Sequence, residues 1–108
     1  MQLDNFELPG KEIDLDLLIF IERYVTNLMK WDLLTFFGNN PTMKKDAQEV
    51  ARVMGRSYQA VRSELGDLAV LDLLQKLNGD SHFPAYTLTR NRHLRSQIIK
   101  FASQSLET

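Results

Sequence analysis

The side chains with chemical capacity that packing does not already use lie close together. In residues 52–68, RVMGRSYQAVRSELGDL, these are Arg56, Tyr58, Gln59 and Arg62. A guanidinium is a rigid fork of donors that can pair at two points with a carboxylate, a phosphate or the edge of guanine. A carboxamide can do the same with the edge of adenine. This is the chemistry of recognition. The chemistry of bond making has little to work with. His82 and His93 are 11 positions apart and make no H-E-x-x-H or comparable metal spacing. The glycines are scattered at Gly10, Gly38, Gly55, Gly66 and Gly79, so no loop is built to cradle a phosphate. No serine sits in a nucleophile-elbow pattern. The expectation is a protein that is not an enzyme and uses no cofactor or metal.

Bulk composition sets the frame. The chain has 108 residues, 44% of them hydrophobic and 25% charged, which suits one globular domain. It has no cysteine, which excludes a disulfide scaffold, thiol catalysis and cysteine-based zinc sites. That is compatible with a reducing cytoplasm, and a cytoplasmic protein is expected. The first ten residues hold acids and no positive segment, unlike a signal peptide. The apolar run LDLLIFI is broken by Glu22 and Arg23, far short of the roughly 18 residues of a membrane span.

Charge is distributed unevenly. Residues 1–40 hold seven acids and three bases, a net −4, while residues 41–108 hold ten bases and seven acids, a net +3. Such asymmetry fits an acidic outer part beside a nucleic-acid face. It equally fits ordinary solvated surface. Arg52 can pair with Glu49 or Asp46. Arg90, Arg92, His93 and Arg95 open the last helix, where cations oppose the helix dipole. An external anion or a carboxylate from the acidic N-terminal region would account for them.

The elements that must position these residues follow from periodicity. Residues 1–13 read as an irregular arm, and 14–108 as one domain. Asp14 and Asp16 suit a helix N-terminus, and Leu17, Leu18, Ile21, Tyr24, Val25 and Leu28 form a helical face. The pattern runs on through Leu33, Leu34, Phe36 and Phe37 as one long helix, or as two with a joint near Thr26–Asn27. Gly38 is a natural C-cap and Pro41 cannot continue the helix. Trp31 reads as core. TMKK is a short extended link. Asp46 with Glu49 is capping-box-like. Ala47, Val50, Ala51 and Met54 share one stripe, Gly55 ends that helix and Ser57 caps the next. The second helix buries Val61, Leu65, Leu68 and Leu71 and ends near Asp72. LLQKL and AYTLT are short strands around a loop with turn chemistry at Asn78–Gly79. A last helix buries Leu94, Ile98, Phe101 and Ala102, with Ile99 beside that stripe.

Taken together, Ala51, Gly55, Val61, Leu65, Leu68, the LLQKL…AYTLT hairpin and the final helix resemble the winged helix-turn-helix family of DNA-binding domains. The resemblance covers roughly residues 28–89. It implies a mainly α fold with a small β-hairpin wing: a three-helix core plus wing, with additional N- and C-terminal helices. The helix-turn-helix is expected at 46–72, the wing at 73–89 and the last helix at 90–106. Two positions depart from the family pattern. Arg56 stands where an apolar residue usually packs, and Asp72 stands where glycine is common.

The resemblance also implies a site. The second helix would enter the major groove of double-stranded DNA by its N-terminal residues, Ser57, Tyr58, Gln59, Arg62 and Ser63. Lys44, Lys45, Arg52 and Arg56 would neutralise phosphates around it, and Lys76 and His82 would reach from the wing. The plain alternative is ordinary surface on a helix whose other face is core. Phe20, Ile21, Tyr24, Leu28, Ile98, Phe101 and Leu106 are expected to pair the first and last helices of two copies across a two-fold axis. The function expected is a transcriptional regulator acting as a homodimer. The rival reading is a winged-helix protein-interaction module without DNA binding.

Overall fold

A computed structural model describes residues 14–78 and 83–105. The order is α1 (Leu15–Tyr24), α2 (Leu28–Asn39), β1 (Lys45–Asp46), α3 (Ala47–Met54), α4 (Tyr58–Val70), β2 (Leu74–Leu77), β3 (Ala85–Leu88) and α5 (Arg92–Ser105). The strands form one antiparallel sheet in the order β1-β3-β2. The architecture is mainly helical with a small sheet, the winged-helix-like class the sequence implies. β1 pairs with β3, so the wing hairpin gains a third strand from the extended link.

The ends of the helices follow local chemistry. Asp14 caps α1 by accepting from the Leu17 amide at 3.0 Å. Asn27 caps α2 by accepting from the Lys30 amide at 2.8 Å. The chain therefore breaks at 25–27, and the phase of the apolar face resets there. Leu17 and Phe20 are buried, whereas Leu18 and Leu28, assigned to the same face on one continuous period, are exposed.

Gly38 overturns its assignment as a C-cap. The helix runs through it to Asn39, and Gly38 is buried. A Cβ there would lie 2.6 Å from the Ala102 Cβ and 2.8 Å from the Ile98 carbonyl. Glycine at 38 lets α2 and α5 cross at close range.

The core joins Leu33, Leu34 and Phe37 of α2 to Val50 and Ala51 of α3, Val61, Leu65 and Leu68 of α4, and Ile98 and Phe101 of α5. Leu73, Leu74, Tyr86 and Leu88 close it from the sheet side. Leu71 is exposed, a correction: Asp72 takes the left-handed conformation (φ 67°) and turns the chain so that Leu73 and Leu74 point inward instead. Trp31 is also corrected. It is 39% exposed and rests edge-on against Phe101, with ring centroids 4.9 Å apart. Phe20, Ile98 and Phe101 are buried within the monomer, so they cannot be the residues that pair two copies.

Ion pairs tie the helices further. Lys30, almost wholly buried, places its Nζ 2.6 Å from Glu64 Oε1, and Asn27 Nδ2 donates to Glu64 Oε2 at 3.1 Å. Asp67 lies 4.0 Å from the same ammonium. This clamps α4 to α2. Lys100 reaches Asp14 at 2.8 Å and links α5 to the start of α1.

Candidate nucleic-acid interface

The helix pair α3–α4 is set by its turn. Asp46 accepts from the Glu49 amide at 2.8 Å while Glu49 accepts from the Asp46 amide at 3.0 Å, a complete capping box. Both carboxylates face their own helix start, and Arg52 has no ion pair among the described residues. At the other end Gly55 is left-handed (φ 65°, ψ 36°). The Arg56 amide donates to the Ala51 carbonyl at 3.0 Å and the Gly55 amide to that of Arg52 at 3.3 Å. This is a Schellman closure, which needs a residue tolerant of positive φ. Ser57 then opens α4, its hydroxyl accepting from the Ala60 amide at 3.4 Å. The hydroxyl still has its own proton to donate.

α4 turns Val61, Leu65 and Leu68 into the core, so Tyr58, Gln59, Arg62 and Ser63 are left exposed on the other side. The sheet adds a second group. Lys45 is directly opposite Tyr86 across β1–β3, and Lys76 is directly opposite Tyr86 across β2–β3. Directly opposed residues in antiparallel strands project to one face, with Cβ atoms roughly 5 Å apart. Lys45, Tyr86 and Lys76 therefore form a row.

Tyr86 is the hinge of the site. It is buried, and burial pushes its phenol above the usual 10.0; the Arg62 cation pulls the other way and Tyr58 adds to the rise. Arg62 and Tyr58 of α4 are thus within electrostatic reach of the Tyr86 phenol, while Lys45 and Lys76 oppose Tyr86 in strand register. The sequence reading treats Tyr86 only as an alternating strand residue. Its partner across β1 depends on a two-residue strand too short to leave a periodic signal.

Other candidates fall elsewhere. Lys44 lines a hollow of about 360 Å³ with Gln75, Thr87 and Arg90. Gln75 and Thr87 alternate with Lys76 and Tyr86 along their strands, so that hollow opens on the opposite side of the sheet. Arg56 forms an ion pair with Asp32 of α2. Lys76 is exposed on β2. His82 and Leu106 lie outside the described residues, as does the arm 1–13. Arg95 donates to the carbonyls of Thr89 and Pro41, each at 3.1 Å, so backbone oxygens hold it rather than either partner weighed for it.

Among the described residues no three His, Asp or Glu side chains are grouped to hold a metal ion, and no helix is long and apolar enough to cross a membrane.

This arrangement of helices around a small three-stranded sheet is shared with solved structures described as transcriptional regulators. Two solved structures show the likeness. The crystal structure of AntR, an antimony-specific transcriptional repressor, superposes with a TM-score of 0.61 at 15% identity, over 94% of both chains. A possible transcriptional regulator from Methanosarcina mazei Go1 does so with a TM-score of 0.61 at 17% identity, over 94% of this chain and 88% of that one. At such identities the likeness is one of fold. Neither a family model nor a curated relative matches the sequence.

Proposed function

We propose that this protein is a transcriptional regulator that binds duplex DNA by placing the N-terminal half of α4 in the major groove. The observation that carries this reading is the outward side of α4, where Tyr58, Gln59, Arg62 and Ser63 stand exposed while Val61, Leu65 and Leu68 are buried, together with a sheet that carries Lys45 and Lys76 on one face. A fold likeness to regulators alone would not require it. Gln59 and Arg62 would read base edges, and Lys45 and Lys76 would neutralise phosphates on either side. Arg56 contributes less, because Asp32 already holds its guanidinium. No chemistry is performed; the protein acts by occupying a promoter.

The reading includes a homodimer through α1 and α5, which would set two recognition helices about 34 Å apart on successive grooves. With Phe20, Ile98 and Phe101 inside the monomer, the outward residues Leu15, Leu18 and Ile99 would form the contact.

The test begins with sites selected from genomic fragments. Arg62→Ala and Gln59→Ala should each lose about 1–3 kcal/mol of site-specific binding. Unchanged specific affinity in both variants would sink the recognition-helix assignment. Gel retardation of bulk duplex at low salt, fading as salt rises, supports DNA binding. No retardation at low salt supports the protein-interaction module.

A further inference from the structure

We infer that the cleft between α1 and α5 binds a small zwitterion, a compact apolar body carrying one ammonium and one carboxylate. The cleft has a volume of about 140 Å³. That is close to the roughly 150 Å³ that accommodates a single aromatic ring.

The strongest sign is Gln97. It is 7% exposed, it lines the cleft, and its Oε1 has no hydrogen-bond partner. Buried amide oxygens are rarely left unmet, so this one asks for a donor.

The walls state the rest. Asp16, Phe20 and Arg23 fall on one stripe of α1, with the carboxylate in the first turn and the guanidinium in the last. His93 and Gln97, four apart, face them from α5, and Ile19, Phe20 and Leu94 supply apolar surface. Neither Arg23 nor His93 has an ion-pair partner among the described residues, and Asp16 has none within 4.0 Å, the Lys100 ammonium acting on it only at longer range. The cleft therefore offers two unpaired cationic or donor groups at one end, and an acid with an unmet acceptor toward the other.

A plain organic anion would satisfy Arg23 and His93 but face Asp16 and leave Gln97 unmet. A plain amine would satisfy Gln97 and Asp16 and leave the two donors idle. A zwitterion answers all four of these groups at once. Its ammonium donates to Gln97 Oε1 and Asp16, its carboxylate accepts from Arg23 and His93, and its body lies on Phe20 and Leu94.

The site stands independently of the DNA reading, and its test uses no DNA. Titration calorimetry on the full chain compares 5-aminopentanoate and 6-aminohexanoate with pentanoate, which lacks the amine, and pentylamine, which lacks the acid. At least one zwitterion should bind saturably, with both single-charge probes at least tenfold weaker. Gln97→Leu and Arg23→Met should each weaken zwitterion binding at least tenfold. Arg23 is exposed, so its variant tests the site even where the buried Gln97 change unfolds the chain. No saturable heat with either zwitterion, equal binding of the single-charge probes, or undiminished binding by Arg23→Met would each overturn the proposal.

Discussion

Arg56 shows how one side chain divides between fold and function. It occupies a turn position where an apolar residue is usual, and the structure gives it a carboxylate, Asp32 of α2. Both side chains are more than a third exposed, so solvent screens the pair, which should be worth about 0.2–1 kcal/mol. Asp32→Asn should therefore leave stability within about 1 kcal/mol of wild type in urea unfolding. It should also tighten retardation of bulk duplex at low salt, because a freed guanidinium next to α4 gains a phosphate. Weaker or unaltered retardation would place Arg56 away from the DNA. The residues the sequence makes legible here are those with local jobs. Asp46, Gly55, Ser57 and Asp72 each act within three or four positions. Arg56 and Asp32 are 24 positions apart, and no local pattern joins them.

Between elements, two glycines inside helices behave oppositely. Gly38 lies under α5, and Gly66 of α4 has nothing within 4 Å of where a Cβ would be. Gly38→Ala forces α2 and α5 apart against the Ile98 backbone and should destabilise by about 1–3 kcal/mol. Gly66→Ala removes a flexible residue from a helix interior and should stabilise by about 0.4–1 kcal/mol. Chemical denaturation of the two variants reads both signs, and a stable Gly38→Ala protein would refute the close crossing. Helix existence and the two wing strands were legible from period alone. The split at Thr26–Asn27 was legible as one of two options. The crossing at Gly38 was not, since it depends on Ala102, far along the chain. The residues around Tyr86 were legible singly, from charge and exposure, but their grouping comes from strand register across β1, β3 and β2.

For the molecule as a whole, pH tests how α1 is held. Lys100 donates a hydrogen bond that holds the Asp14 carboxyl below its usual 3.8, helped by the Leu17 amide. The same bond raises Lys100 above 10.5. A depressed acid contributes stability above its unfolded value and loses it as pH falls through the folded one. A raised base contributes below its unfolded value and loses it as pH rises through the folded one. The link should thus be fully present from about pH 4 to 10 and fade beyond both ends. Lys100→Met should lower stability across that plateau and flatten the acid-side fall below pH 4 in melting curves. An acid limb identical to wild type would show that the pair carries no linkage. Burial of Tyr86 adds a further loss on the alkaline side, since its raised phenol pKa stabilises the fold only while protonated.

The clamp of Lys30 on Glu64 also bears on how such a protein can change over time. Glu64 sits between Arg62 and Leu65 on α4, and its carboxylate is gripped by an ammonium and a carboxamide from α2. The helix is keyed against rolling about its own axis. If α4 reads DNA, a new target sequence cannot be reached by rotating another side of the helix into the groove. It has to come from replacing the side chains at positions 58, 59 and 62 one at a time on a fixed mount. Specificity is thereby separated from foldedness, and the reading residues can be exchanged while the domain beneath them stays the same.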